Sequence, residues 1–216
     1  IKPLIEFNGK TMINWVIDNI KSSIDAKFIF IIKTEDDKKF SIKKHLLSID
    51  GSFTILESPT LPNGPAVSAL LAENIIKDDE LIIINSDQII FDLNIKDISK
   101  FAHINNLDGV IGCFISMYEK NSYVKLDEYG YISMVREKEV ISNIATNGLH
   151  YWKSGDMFVD SAKEMILSND TVNNEFYVAP TYNYLIQNGK KIKPFFFNFH
   201  YSVGTPNDLK KFIAIV

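Results

Sequence analysis

The stretch LIIINSDQII, residues 81–90, runs an unbroken apolar segment, Leu81-Ile82-Ile83-Ile84, straight into Asn85-Ser86-Asp87-Gln88. A continuous apolar run of this length suits a strand covered on both faces, as in a parallel sheet. Such a strand delivers a carboxylate at its tip only if the charge meets solvent, a hydrogen-bond donor or a metal ion, because an unpaired buried charge is costly. In open parallel sheets ligands bind beyond the carboxyl ends of the strands, beside a topological switch point, and this is where the pattern puts Asp87. A carboxylate that merely caps the next segment would look the same.

Outward from that strand, helical and strand patterns alternate. TMINWVIDNIKS (11–22) spaces Met12, Ile13, Val16, Ile17 and Ile20 as one helix face. KFIFIIK (27–33) predicts a second buried strand, DDKKFSIKKHLL (36–47) a helix, SFTIL (52–56) a strand and AVSALLAENII (66–76) a helix. Alternation of this kind implies a three-layer α/β/α arrangement around a mostly parallel sheet, Rossmann-like in character. From about residue 109 the texture is more mixed. DGVIGCFIS (108–116), SYVKLDEYGYISMV (122–135) and IATNGLHYWK (144–153) predict strands, with a hairpin turn at Asp127-Glu128-Tyr129-Gly130. Helices are expected at 156–167, at 177–187 and from Pro206, and a strand at 191–199. Without repeats, linkers or low-complexity segments, residues 1–216 read as one domain.

Composition narrows the function classes. A net charge of −4 with no basic stripe argues against nucleic acid as a partner. No apolar run approaches the ~20 residues of a membrane-spanning helix, and no signal-peptide pattern opens the chain. A single cysteine, Cys113, excludes an internal disulfide and fits the cytoplasm. Arg136 is the one arginine, so any guanidinium recognition of phosphate within this chain falls to it. The four histidines, His45, His103, His150 and His200, lack metal-cluster spacing. The aromatic run Phe195-Phe196-Phe197-Phe199 reads as sheet packing.

Six segments, taken in order, resemble the sugar-phosphate nucleotidylyltransferases: KPLIEFNGKTMINWVIDNI (2–20), PNGPAVSALLAEN (62–74), LIIINSDQII (81–90), VREKEVISNIATNGLHYWKSGDMF (135–158), NNEFYVAPTYNYLIQNGKKI (173–192) and YSVGTPNDLKKF (201–212). The resemblance implies the nucleotide-diphospho-sugar transferase fold and the reaction of a nucleoside triphosphate with a phosphorylated acceptor, releasing pyrophosphate. It implies Mg²⁺ as cofactor, held by Asp87, and Lys2 at the reacting phosphates. Gly64 matches the glycine that lets backbone approach the nucleotide base. Glu137 and Lys138 match the pair that meets the acceptor's sugar hydroxyls and phosphate, Gly148 the glycine beside the sugar, and Glu175 a further sugar contact. Unaided, Arg136-Glu137-Lys138-Glu139 reads as a solvated charge cluster, and Gly64 as a turn glycine.

Two departures accompany the resemblance. The family's Gly-x-Gly-x-Arg triphosphate loop, which precedes a lysine like Lys2, is absent; the gene product is expected to start earlier, with that loop and a central first strand. Near the C-terminus, Ser202 stands where many members carry a second metal-binding aspartate. The expected activity is transfer of a nucleotide to a sugar 1-phosphate for surface polysaccharide. A nucleotide-sugar-dependent glycosyltransferase, which usually carries Asp-x-Asp where this chain has Ser86-Asp87-Gln88, and a non-catalytic nucleotide- or sugar-binding relative are the alternatives. The base, the acceptor and any homo-oligomeric assembly stay open.

Overall fold

The computed structural model describes residues 1–21, 26–91, 93–198 and 200–215, with His200 described through its backbone. A short 3-10 turn (Lys2–Leu4) leads into β1 (Glu6–Phe7), β2 (Lys10–Thr11) and α1 (Met12–Lys21). Next come β3 (Ile29–Lys33), α2 (Thr34–Phe40), α3 (Ile42–Ile49), β4 (Thr54–Ser58), α4 (Pro65–Leu70), α5 (Glu73–Ile76), β5 (Leu81–Ile84) and β6 (Gln88–Ile90). The second half holds α6 (Ile95–Ile104), β7 (Gly109–Ile115), β8 (Ser122–Leu126), β9 (Ile132–Glu137), β10 (Ile144–Trp152) and α7 (Gly155–Leu167). It ends with α8 (Thr181–Gln187), β11 (Ile192–Phe196), β12 (His200–Ser202) and α9 (Pro206–Ile213).

The described chain divides into two compact units. The first comprises Ile1–Pro62, Asn85–Lys96 and Phe199–Val216. Within it, β3 and β4 pair in parallel, and β1 and β2 form a hairpin across Asn8-Gly9, both with positive φ. Helix α1 serves two cores because its apolar residues form two adjacent stripes. Met12 and Val16 meet Phe7, Ile89, Val203 and Phe212; Ile13 and Ile17 meet Ile32, Ile42, Leu46 and Phe53. β12 pairs antiparallel with β6, Ser202 opposite Gln88, which brings the segment after β12 beside Asp87.

The second unit comprises Asn63–Ile84 and Asp97–Asn198 and is built around β10. β7 lies antiparallel along one edge of β10; β5 and β8 lie antiparallel along the other, and β11 extends the sheet in parallel from β7. β5, β7, β8 and β11 run one way, β9 and β10 the other. The class is the mixed α/β one expected, with the second half mixed in strand direction as its texture implies. Trp152 stacks on Tyr182 at 4.7 Å between ring centroids and meets Phe158 at 5.1 Å, joining β10 to α7 and α8.

Local differences from the sequence pattern have identifiable causes. The helix expected over 36–47 is two helices, because Ser41 takes a left-handed conformation (φ 54) and Asp37 Oδ1 accepts from Lys43 N at 2.7 Å. The helix expected over 66–76 is likewise divided at Leu71-Ala72. The helix expected from 177 starts at Thr181, with Pro180 as its N-cap. Ser22 and Phe199, in the predicted first helix and last strand, lie outside the described residues.

His150, fully buried in β10, is pushed down to a pKa of about 3 by desolvation. The unfolded chain therefore takes up a proton near pH 6.5 that the folded chain refuses, so stability is full above that pH and falls as pH drops towards 3. Between pH 7 and pH 5 this group alone should remove about 2 kcal/mol. Denaturant unfolding at the two pH values should show a smaller difference in His150→Phe than in the native chain.

Candidate functional site

Asp87 has the partner that its position at the end of an apolar run demands. Lys2 Nζ donates to Asp87 Oδ2 at 2.8 Å, and Val203 N donates to the Asp87 carbonyl at 2.9 Å. The carboxylate is 24% exposed and the lysine 47%, so the pair faces water rather than core. Gly204 closes this corner: a Cβ there would stand 2.5 Å from Asp87 Oδ2 and 3.3 Å from Lys2 Nζ. The residue is thus a glycine because an ion pair lies against its backbone. Ser202 Oγ accepts from Gly204 N at 3.3 Å. Lys2 and Asp87 pair within the first unit, and the register of β6 and β12 sets Ser202 opposite Gln88, the residue after Asp87.

The remaining predicted residues belong to the second unit. Glu137 ends β9 opposite Ser122, which opens β8, and the Ser122 hydroxyl donates to the Glu137 carboxylate. Burial pushes the Glu137 pKa up, with the Glu175 charge adding to the rise and the Ser122 bond and Lys138 opposing it. Lys138 follows with positive φ (56), its N donating to the Asn121 carbonyl at 3.1 Å. Its ammonium donates to the Tyr177 phenol oxygen and lies 4.3 Å from that ring's centroid. Glu175 sits in a tight turn, exchanging backbone hydrogen bonds with Val172, rather than at a helix start.

Gly64 joins this group through Phe176, the residue between Glu175 and Tyr177. Phe176 N donates to the Asn63 carbonyl at 3.1 Å and Ala66 N to the Phe176 carbonyl at 3.0 Å. Gly64 has φ 100, and a Cβ there would stand 2.4 Å from Phe176 O. Gly148 occupies an irregularity in β10, where the register against β7 shifts between Thr146 and His150, with φ 81. The start of β10, three residues before Gly148, is reached from the other side: Glu137 faces Ser122, and Tyr123, next to Ser122, faces Ala145.

Sequence reasoning misses Ser122, Tyr177 and Gly204. Tyr177 and Gly204 lie inside quoted motifs but carry no mark that separates them from their neighbours. Ser122 becomes visible only through the register of the β8–β9 hairpin. Arg136 makes a loose, exposed contact to Glu139 at 3.8 Å and does not join either group. Cys113 is fully buried, with burial raising its thiol pKa, as a core residue should be. Among the described residues no group of three or more His, Cys, Asp or Glu is placed to hold a metal, and no helix is long and apolar enough to cross a membrane.

The profile of the nucleotidyl transferase family matches residues 1–215. The chain belongs to that family. It is a nucleotidyltransferase, as its six motifs imply. No curated protein sequence matches it. Among solved structures it is similar to the nucleoside-diphosphate-sugar pyrophosphorylase from Vibrio cholerae, with a TM-score of 0.80 and 22% identity over 99% of this chain and 91% of that one. It is also similar to a UDP-glucose pyrophosphorylase complexed with UDP-glucose (TM-score 0.80, 14% identity, 99% and 89% covered). A third is the inositol-1-phosphate CTP transferase from T. maritima (TM-score 0.76, 14% identity, 99% and 85% covered). At these identities the likeness establishes the fold of the nucleotidyltransferase.

Members of this family generally use divalent metal ions. The donors present fit one type of site. Asp87 is a single carboxylate, and Ser202 supplies a neutral hydroxyl already engaged with Gly204 N. That set cannot enclose an ion, but it can supply one oxygen ligand to an ion that arrives on substrate phosphates, which is how Mg²⁺ is commonly held.

Proposed function

We propose that this nucleotidyltransferase joins a nucleoside monophosphate to a sugar 1-phosphate or a similar phosphorylated acceptor. The acceptor phosphate oxygen forms a bond to the α-phosphorus of a nucleoside triphosphate. The bond from that phosphorus to the bridging oxygen breaks, and its electron pair leaves with pyrophosphate. Both reactants are anions, so charge neutralisation and positioning carry the catalysis. Lys2 places positive charge at the reacting phosphates, and Asp87 supplies the carboxylate ligand for Mg²⁺. An ion held by Asp87 would neutralise phosphate charge, and Lys2, bonded to Asp87 Oδ2 at 2.8 Å, would place its ammonium beside the same phosphates.

Acceptor recognition is assigned to Glu137, Lys138, Gly148 and Glu175, and base approach to Gly64. The observation that carries this reading is that Gly64 lies against Phe176 and Lys138 bonds to Tyr177, while Glu137 and Glu175 act electrostatically on each other and on that lysine. A solvated charge cluster would have no reason to draw those four positions together. A partly buried carboxyl of raised pKa beside a lysine suits an acceptor that offers hydroxyls and a phosphate. We read residues 1–216 as one catalytic domain, the enzyme as cytoplasmic, and its product as an activated sugar for surface polysaccharide.

The test is pyrophosphate release with Mg²⁺ across five nucleoside triphosphates and a panel of sugar 1-phosphates and phosphorylated alcohols. Release that requires an acceptor supports the reading; release without one, or none with any pair, rejects it. Glu137→Ala should raise the acceptor KM about tenfold or more through loss of charge-assisted hydrogen bonds, with the nucleotide KM nearly unchanged. Equal changes in both constants would show that Glu137 does not serve the acceptor.

A further inference from the structure

Lys138 is held in an unusual way for a surface lysine beside acidic groups. Two carboxylates, Glu137 and Glu175, act electrostatically on its ammonium. Among the described residues, however, no carboxylate is in ion-pair contact with it. Its bond goes to a neutral acceptor, the Tyr177 phenol oxygen, and the ring of the same residue lies beside the charge at 4.3 Å. Tyr177 is half-buried and fixed by its neighbour Phe176, whose backbone is hydrogen-bonded on both sides to the Asn63–Ala66 segment. The Lys138 backbone is fixed as well, with positive φ and its N bonded to Asn121. Both ends of the contact are therefore preset.

We propose that Tyr177 is a positioning residue that keeps the Lys138 ammonium out of ion pairs with Glu137 and Glu175 and so reserves its charge for the phosphate of the acceptor. An ion-paired lysine must break its pair before it can take an incoming anion. A phenol-held lysine keeps its full charge and has two further N–H donors to offer. Burial pushes the phenol's pKa up, the Lys138 bond lowers it and a bond to Glu175 raises it, so the phenol sits between the two charges. Removing the hydroxyl leaves the ring but frees the ammonium to fall onto a carboxylate. This inference rests on the assignment of Lys138 to the acceptor phosphate.

The test uses inorganic phosphate as the probe and the full chain with ¹³Cε-labelled lysine incorporated during synthesis, so that the amines stay unmodified, with the Lys138 signal assigned by its absence in Lys138→Arg. In the native protein the signal should shift on titration with phosphate. In Tyr177→Phe the half-saturation point should move about threefold to fivefold higher, the cost of breaking a partly exposed ion pair before phosphate can bind, with the melting temperature nearly unchanged. The same Tyr177→Phe change made in Glu175→Gln should cost much less, because the competing carboxylate is gone. A purely structural tyrosine would show no such dependence on Glu175. Equal phosphate responses in the native protein and Tyr177→Phe overturn the role of Tyr177 and leave the acceptor reading intact. No response of Lys138 in the native protein overturns its phosphate assignment and the role of Tyr177 with it.

Discussion

Asp87→Asn is expected to lower nucleotidyl transfer by roughly 100-fold or more, the scale seen when one preorganised electrostatic contact to a transition state is lost. The substitution is nearly isosteric. It leaves the backbone bond from Val203 N to the residue 87 carbonyl in place, and Gly204 still has room beside the side chain. What disappears is the negative charge, and with it the ion pair to Lys2 and the carboxylate proposed to hold the metal. The ion pair itself is partly exposed, with side chains 24% and 47% accessible, so its loss should cost stability no more than about 1 kcal/mol. Steady-state kinetics and a melting curve on the same preparation separate the two effects. Native-like turnover with an unchanged melting temperature would mean that Asp87 only caps the segment after β5.

Gly64→Ala is the second change with a large expected effect, and it acts first on structure. The backbone there has φ 100 and ψ 167, a region in which any side chain costs about 1–3 kcal/mol. The added Cβ would also stand 2.4 Å from Phe176 O and 2.5 Å from Phe176 N. Those are backbone atoms held by hydrogen bonds to Asn63 and Ala66, so no rotamer change relieves the contact. Together the two terms predict a loss of about 3 kcal/mol or more and a fall in melting temperature of roughly 6–12 °C. Because Phe176 lies between Glu175 and Tyr177, the acceptor KM should rise with it. If Gly64 were needed only for backbone approach to a nucleotide base, the melting temperature would stay put and only the nucleotide KM would change.

How much of this was legible in the sequence depends on the range of the interactions involved. Strands such as β3, β5 and β7 announce themselves through apolar runs, and α1 through its period, although only β7 is largely buried while β3 and β5 are mostly half-buried. The β1–β2 hairpin carried its Asn-Gly signal in FNGK, but strands of two residues are too short to show alternation. The helix breaks at Ser41 and at Leu71-Ala72 contain neither Gly nor Pro, so nothing local marks them. β10 reads as a strand, yet its irregularity at Gly148 and its place in the centre of a sheet depend on partners far away in the chain.

The same division holds for the candidate site. Asp87, Glu137 and Lys138 could be named because each sits inside a motif. That Asp87 bonds to Lys2, across 85 positions, needs the fold. Ser122 and Tyr177 contribute through tertiary contacts with Glu137 and Lys138, and Gly204 through the space it leaves, so one-dimensional patterns pass over all three.

The most direct test of nucleotidyl transfer is to follow where the label goes from a nucleoside triphosphate carrying ³²P at the α-phosphate or at the γ-phosphate, with a sugar 1-phosphate as acceptor. The account predicts that the α-label appears in the nucleotide-linked product and the γ-label in pyrophosphate. A γ-label on the acceptor, or an α-label that never leaves the free nucleotide with any acceptor, would contradict it.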